Sequence, residues 1–287
     1  MKTSFTPAFV LIFLVTVTFY SCERIASRGN ERVAKGDVEL GGTLNVSVST
    51  NVKSYLPSMI TSAVSSEIGT HLHCGLLNLD PQSLKVIPGA AESWSVDNKK
   101  TSFVFNLRRG AEFHADECFD GASREITAKD FKYTFELLCG NENNDAFATT
   151  FKNRVTGANA FNSGQASQVL GVQVIDDYTL RIELDKPDES FLFVLAQPST
   201  AVISEKAYAK YGPDCKVGAG PYQYVSNQGE LVLSRNKYFF LHDAFGNNFP
   251  YVDSIIFKNI PTKQEQLNTF FEGGLDVVSG LYLDPVR

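Results

Sequence analysis

The sequence predicts a mixed α/β fold, and three observations indicate it. Segments such as 43–48 and 101–107 alternate apolar with polar residues, which is the period expected of half-buried strands. Other segments repeat apolar residues at helical spacing behind a capping residue, as in 127–138. Over 252–278 a strand pattern, a capped helix pattern and a second apolar run follow one another, which predicts a βαβ unit with parallel strands.

In the first third of the chain the patterns are short and separated by turn residues. The strand pattern 43–48 follows two glycines, and the helix pattern 57–71 begins at a proline, a residue that favours the first turn of a helix. Apolar runs at 74–79 and 84–87 flank an Asp-Pro turn and predict two strands. The alternating run at 101–107 predicts another strand.

The middle of the chain contains the clearest helix pattern. Thr127 to Asp130 resembles a capping box, with Asp in place of the usual Glu or Gln, and apolar residues follow at positions i, i+4 and i+7. The runs 169–175 and 178–184 lie on either side of two aspartates and predict a β-hairpin. A short helix is expected over 191–195.

The last third repeats the same kinds of element. A second hairpin is predicted from 222–225 and 231–234, which flank an Asn-Gln-Gly turn, and a strand is predicted over 252–259. Residues 262–265 (TKQE) form a capping box that begins a helix, and two glycines end it. The apolar run 275–278 is consistent with a buried strand.

The composition describes a globular protein and argues against binding of nucleic acid. Of 287 residues, 43% are hydrophobic and 20% are charged, and the formal net charge is -6. Lys and Arg are scattered, without a basic run that could track phosphates. No nucleic-acid partner is therefore expected.

The amino terminus has the pattern of an export signal. Lys2 and a thirteen-residue apolar run, 8–20, predict a signal peptide over 1–21, because the run is too short to span a membrane. A small residue before Cys22 resembles a bacterial lipobox, which implies cleavage before Cys22 and lipidation of its thiol. The alternative is a plain signal peptide with an incidental cysteine. The polar segment 22–40 predicts a flexible tether.

Four cysteines remain after Cys22, an even number in an oxidising compartment. Cys118 and Cys139 flank the predicted helix that begins near 127 and could form a disulfide, although spacing alone does not fix connectivity. There is no CxxC pair, so a zinc site is not expected.

No catalytic motif was found. The sequence lacks GxSxG, HExxH, Walker and GxGxxG patterns, so we expect no enzyme activity, no catalytic residue and no cofactor. His71 and His73 are two residues apart and would share a face only in an extended segment, where a metal site is conceivable. An ordinary polar or cleft-wall role is the favoured interpretation, and no metal site is predicted.

Six segments, taken in order, resemble the family 5 extracellular solute-binding proteins, which are the oligopeptide-, dipeptide- and nickel-binding proteins of ABC importers. They are PGAAESW at 88–94, FVFNLRRGAEFH at 103–114, ITAKDF at 126–131, VGAGPY at 217–222, RNKY at 235–238 and GGLDV at 273–277. The order and spacing match over about 41–278. The chain departs from the family pattern at HCGL (73–76), at Ala219 and in an enlarged loop at 115–125. It is also roughly half the usual family length.

The resemblance implies a periplasmic-binding-protein-like (type II) lobe with an inserted mixed α/β subdomain, and a second lobe that is missing. The lobe core is assigned to 41–70 and 200–287, and the inserted subdomain to 71–199. The implied function is that of an extracytoplasmic lipoprotein, in the periplasm or at the cell surface, that delivers peptides to the permease of an ABC importer. Alternatives are nickel, haem or oligosaccharide as ligand, a non-transport envelope lipoprotein, and an envelope enzyme.

The resemblance also implies where a ligand would contact the chain. In this family ligand is trapped between two lobes, and peptides are held through their main chain. We assign tentative contacts to the loop Ser49, Thr50 and Asn51 and to the segment Gly218, Ala219 and Gly220, whose glycines permit close approach of main chain. A tight turn without ligand is the alternative for the glycine segment. With one wall of the cleft absent, weak or no binding is expected of the 287-residue chain.

Overall fold

The computed structural model describes residues 32–140, 145–226 and 228–278. The predictions of a signal peptide over 1–21 and of lipidation at Cys22 lie outside the described residues. Most of the predicted strands and helices are present, with shifted ends.

Twelve strands are present in the described part of the chain. They are β1 (Arg32–Val33), β2 (Glu39–Leu40), β3 (Thr43–Val48), β4 (Leu77–Leu79), β5 (Val86–Pro88), β6 (Ala91–Val96), β7 (Ser102–Leu107), β8 (Val172–Asp176), β9 (Thr179–Glu183), β10 (Tyr222–Ser226), β11 (Leu231–Arg235) and β12 (Ser254–Asn259). The α-helices there are α1 (Ala63–Leu72), α2 (Ala128–Gly140), α3 (Asp145–Thr150), α4 (Ala158–Asn162), α5 (Phe191–Leu195), α6 (Glu205–Tyr211) and α7 (Lys263–Phe271).

The first sheet has the strand order β10-β11-β12-β3. Its strands are antiparallel except for β12 and β3, which pair in parallel with Ile255 opposite Leu44. After α7 the chain returns to the other side of β3, where Val277 forms a parallel bridge with Val46. The predicted βαβ unit is therefore present, but its second strand is a single bridge, and the connection passes over β3.

Helix α1 covers one face of the first sheet. Ile68 and Leu72 of α1 are buried in one hydrophobic cluster with Val46 of β3 and Phe257 of β12. Burial of such side chains contributes roughly 1.5–3 kcal/mol each. The helix thus fixes the position of the loop that follows β3.

The second sheet has the order β6-β7-β9-β8, and all of its pairs are antiparallel. Phe103 of β7 lies against Phe191 of α5, with ring centroids 5.5 Å apart. The ring centroid of Phe135, in α2, lies 5.0 Å from that of Phe151. These rings belong to a second, larger hydrophobic cluster, which accounts for many of the phenylalanines in the sequence.

The helix predicted over 57–71 begins later than expected. Residues Pro57–Met59 form a 3-10 turn, and α1 begins after Ser62. The Ser62 hydroxyl accepts a hydrogen bond from the Ser65 amide (3.1 Å), and the Ser65 hydroxyl accepts one from the Ser62 amide (3.0 Å). This reciprocal cap outweighs the proline signal and sets the start of the helix.

The tether predicted over 22–40 differs from the structure for residues 32–40, where β1 and β2 pair in antiparallel fashion. The side-chain oxygen of Asn247 accepts from the Lys35 amide (3.1 Å), and its side-chain nitrogen donates to the Lys35 carbonyl (2.9 Å). These two bonds tie the segment to the rest of the protein. The predicted lobe boundaries themselves stay a prediction.

Candidate functional site

A surface groove lies beside the loop that follows β3. Its first part has a volume of about 490 Å³, and Thr50, Asn51 and Lys53 form one wall. Its second part, of about 390 Å³, shares Thr61, Ser62 and Asp145 with the first. Much of the remaining lining is contributed by small hydroxyl side chains, which favours polar, hydrated contacts.

The topology of the first sheet places this loop at a position suited to ligand binding. The Val48 carbonyl, at the end of β3, still accepts a hydrogen bond from the Ile260 amide (2.8 Å). The chain then leaves the sheet beyond the carboxyl ends of two parallel strands, β3 and β12. In open α/β sheets ligands commonly bind outside the carboxyl ends of the strands.

Both ends of the loop are held by hydrogen bonds to described residues, whereas its middle makes none among them. At the far end the Ser54 hydroxyl donates to the Pro213 carbonyl (3.0 Å) and accepts from the Leu56 amide (3.3 Å). Within the described residues no hydrogen bond engages the main chain of residues 50–53. Three of these four residues are exposed, and Val52 is partly buried, so their main chain lies at the surface where an extended ligand chain could pair with it.

The first part of the groove carries one cation and one anion, which sequence reasoning did not identify as site residues. Lys53 belongs to the loop itself, and Asp145 is the first residue of α3; both are exposed. An extended molecule held by loop main chain could place an anionic group near Lys53 and a cationic group near Asp145.

The predicted site residues occupy two different environments. Ser49, Thr50 and Asn51 are exposed, and the last two line the groove. Gly218, Ala219 and Gly220 are buried and do not line it. The structure does not bring these two sets together in one cavity.

The glycine segment packs against the end of α1. A Cβ atom on Gly218 would lie 1.9 Å from the Leu72 carbonyl oxygen, and one on Gly220 would lie 2.5 Å from the His71 carbonyl oxygen. The Gly220 amide donates to the Leu72 carbonyl (2.9 Å). The geometry thus accounts for both glycines by close approach of main chain to main chain, and their contact with ligand stays a prediction.

Two buried histidines flank this segment. The His73 Nε2 atom donates to the Tyr55 carbonyl (2.6 Å), and the His114 Nε2 atom donates to the Gly220 carbonyl (3.0 Å). Burial lowers the pKa of each ring to about 4, so both are neutral at pH 7. As neutral donors, His114 stabilises the glycine segment through Gly220, and His73 holds the Tyr55 carbonyl.

His71 does not share a site with His73. Its ring packs edge-on against Tyr222 with centroids 5.6 Å apart, whereas His73 bonds to the Tyr55 carbonyl. Within the described ranges no group of three His, Cys, Asp or Glu side chains is placed to hold a metal ion.

The four cysteines of the described part are free thiols, so the disulfide predicted between Cys118 and Cys139 is not present in the structure. Cys139 is fully buried at the carboxyl end of α2, whereas Cys118 is partly exposed in the 3-10 turn Glu117–Phe119. In the described part of the chain no helix is both long enough and apolar enough to cross a membrane.

Comparison with known proteins identifies a family. The family described as bacterial extracellular solute-binding proteins, family 5 Middle, matches residues 85–287. The probable ABC transporter periplasmic-binding protein SapA of Escherichia coli K12 is 26% identical over 244 residues, which cover 81% of this chain and 42% of that protein. The glutathione-binding protein GsiB of Salmonella choleraesuis is 29% identical over 191 residues, covering 65% of this chain and 33% of GsiB.

Solved structures show the same fold. The periplasmic oligopeptide-binding protein OppAIV of Borrelia burgdorferi aligns with a TM-score of 0.72 and 23% identity, over 82% of this chain and 46% of OppAIV. The murein tripeptide-binding protein MppA of Escherichia coli aligns with a TM-score of 0.70 and 23% identity, over 82% of this chain and 45% of MppA. The predicted periplasmic-binding-protein-like α/β fold is confirmed, and the chain spans less than half the length of these relatives.

Proposed function

The chain belongs to family 5 of the bacterial extracellular solute-binding proteins, and from this membership we propose that it binds peptides outside the cytoplasm for an ABC importer. Relatives are named for binding glutathione, oligopeptides and murein tripeptide, which are all peptides or peptide-like. In this proposal the protein captures its ligand and performs no chemistry on it. Its partners are the peptide and the permease subunits of the importer.

The observation that carries the proposal is the unpaired main chain of residues 50–53 at the carboxyl ends of β3 and β12. A peptide in extended conformation can pair with such a segment as an added strand, and this pairing does not depend on the identity of its side chains. The hydroxyl side chains of the groove and the waters they hold would then accommodate varied residues.

The charges of the groove fit a zwitterionic ligand. We assign Lys53 to the carboxylate end and Asp145 to the amino end of a short peptide, because both line the first part of the groove. Exposed charge pairs contribute up to about 1 kcal/mol each, so they orient the ligand more than they determine its affinity.

A titration followed by NMR tests the proposal. Addition of mixed tripeptides at millimolar concentration to the labelled protein should shift the amide signals of residues 49–54. Lys53→Met should weaken binding roughly two- to fivefold. Lys99→Met, at an exposed lysine between β6 and β7, is the matched control and should have no effect.

Several outcomes would contradict this assignment. Shifts confined to another surface would place the ligand elsewhere. Shifts of residues 49–54 with nickel, haem or an oligosaccharide, and none with peptides, would replace the ligand class while keeping the groove.

We further propose that the protein is a lipoprotein held to a bacterial membrane through Cys22, on the basis of the signal-like sequence over 1–21. Cys22→Ser should move the protein from the membrane fraction to the soluble extracytoplasmic fraction, because two acyl chains are needed for stable anchoring. Immunoblotting of the two fractions measures this. An unchanged distribution would favour the plain signal peptide.

A further inference from the structure

Two cysteines lie where separate segments of the chain are fastened together. Cys118 is in the 3-10 turn Glu117–Phe119, and Cys215 follows the 3-10 turn Gly212–Asp214. The Tyr211 hydroxyl donates to the Asp116 carboxylate (2.8 Å), and the Lys210 ammonium lies 2.9 Å from the Glu117 carboxylate. The two residues before Cys118 are thus in direct contact with residues four and five positions before Cys215.

The same two segments are joined a second time on the other side. The His114 amide donates to the Gly218 carbonyl (2.8 Å), and the Gly218 amide donates to the His114 Nδ1 atom (3.3 Å). Between residues 210 and 218 the chain is therefore held against residues 114–117 at both ends. Cys215 lies inside this stretch and is almost fully buried, at 1% exposed.

The carboxylate of Asp116 joins the two segments, because it accepts hydrogen bonds from both. One comes from the Cys118 amide (2.8 Å) and the other from the Tyr211 hydroxyl (2.8 Å). The side chains of Cys118 and Cys215 also pack on the same hydrophobic cluster, the larger one. The shared carboxylate and the shared cluster thus bring the two cysteine-bearing segments together.

The other two cysteines have different surroundings. The Cys74 thiol donates to the Gly75 carbonyl (3.3 Å). Helix α2 contacts α6 through Tyr133, whose ring centroid lies 6.4 Å from that of Tyr208. Cys139 is six residues further along α2, about 9 Å at the rise of an α-helix. A disulfide requires Cα atoms within about 7 Å, so this end of α2 is poorly placed to reach the turn at Cys118.

We propose that Cys118 and Cys215 form a disulfide when the protein is outside the cytoplasm, and that Cys74 and Cys139 remain thiols. In this reaction two S–H bonds break and one S–S bond forms. The two electrons and the two protons pass to the disulfide of a thiol–disulfide oxidoreductase, whose S–S bond breaks to give its dithiol. The bond would fasten the 114–118 turn to the segment that leads into Gly218.

The environment of the thiols explains why a catalyst is needed. Burial, together with the Asp116 carboxylate, raises the pKa of the Cys118 thiol to about 12, and burial also raises the pKa of Cys215. Little thiolate is then present at neutral pH, so uncatalysed oxidation of the folded protein is slow. The test therefore uses protein secreted into the periplasm of a host with its oxidoreductases intact.

Peptide mapping decides the connectivity, because trypsin leaves each cysteine in a separate peptide. Cys118 lies in 110–124, Cys215 in 211–216, Cys74 in 54–85 and Cys139 in 133–152. After denaturation and alkylation without reductant, the expected result is one linked pair, 110–124 with 211–216, and two alkylated peptides. Four alkylated peptides, or a link that includes Cys139 or Cys74, would overturn the proposal.

Thermal unfolding provides an independent measurement. A disulfide that closes the loop from Cys118 to Cys215 should raise Tm by about 5–10 °C. Cys118→Ser, Cys215→Ser and the double variant should therefore all lower Tm by the same amount. Cys139→Ser is the matched control for loss of a thiol and should keep the linked pair in the peptide map. Additive effects of Cys118→Ser and Cys215→Ser would contradict a bond between them.

Discussion

Replacement of Gly218 by alanine should destabilise the protein by about 3 kcal/mol or more, because overpacking against atoms that cannot move is costly. The new Cβ would lie 1.9 Å from the Leu72 carbonyl oxygen and 2.9 Å from its carbonyl carbon. These are backbone atoms at the end of α1, and no side-chain rotation relieves the clash. Urea unfolding at pH 7 measures the loss, and Tm should fall by about 6–12 °C.

The matched control is Gly140→Ala. Gly140 is the exposed last residue of α2, and a Cβ there would contact only a ring atom of Phe161 at 3.6 Å. Alanine reduces the entropy of the unfolded chain, so this variant should be equally stable or more stable by up to about 1 kcal/mol. If Gly218→Ala behaved like Gly140→Ala, the close approach of the two segments would not be a requirement of the fold.

This contact also explains why a glycine-rich motif need not touch a ligand. The motif was interpreted as a ligand contact because glycines let main chain approach another group closely. The group that approaches Gly218 and Gly220 is the main chain of residues 71–73, more than 140 positions earlier in the sequence. Sequence spacing indicates that something comes close to a glycine, but tertiary packing decides what it is.

Local chemistry predicted many of the elements. The helix at 263–271 begins behind Thr262, whose hydroxyl accepts from the Glu265 amide (3.2 Å) as the capping-box pattern indicates. The hairpin of β8 and β9 turns at Asp176, whose carboxylate accepts from the Tyr178 amide (2.8 Å). In both cases the signal and its partner lie within three residues of each other.

Several elements were missed, among them α3 and α4, and two of the others show why. Strand β6 has an irregularity between Ala91 and Ser93, which breaks the alternation on which strand prediction depends. Helix α6 is short, and the side chain of Ser204 caps it by accepting from the Ala207 amide (3.3 Å). Ser204 and Gly212 are residues typical of the two ends of a helix. The seven residues between them, however, are too few to show helical periodicity.

The groove shows the same division between local and long-range information. Thr50 and Asn51 were predicted because the loop follows the first strand of the lobe, and the structure places both in the groove. Asp145 is 92 positions from Lys53 and enters the groove only because α3 packs beside the loop region. In the same way, spacing offered Cys139 as one possible partner of Cys118, whereas folding brings the segment that contains Cys215 to the Cys118 turn.

As the pH falls below 6.5, the protein should begin to lose stability. This is well before the pH is low enough to protonate most carboxylates. His73 and His114 are buried, and burial lowers the pKa of each from 6.5 to about 4. Below pH 6.5 the unfolded chain binds protons that the folded protein cannot, so the free energy of unfolding falls as the pH decreases towards 4. Each ring contributes a loss of roughly 3 kcal/mol across this interval, at 1.36 kcal/mol per pKa unit.

Urea unfolding between pH 6.5 and 5 measures the sum over the buried histidines, which includes His71, because burial lowers its pKa to about 4 as well. Carboxylates with a lowered pKa act below this window. His114→Gln removes one titrating ring while its amide can still donate to the Gly220 carbonyl and accept from the Gly218 amide. The dependence of unfolding free energy on pH should then decrease by about 1 kcal/mol per pH unit across this window, because the unfolded ring goes from half to almost fully protonated while the folded ring stays mostly neutral. An unaltered slope in His114→Gln would mean that His114 is protonated at the same pH in the folded and unfolded states, and that it does not stabilise the glycine segment as a neutral donor.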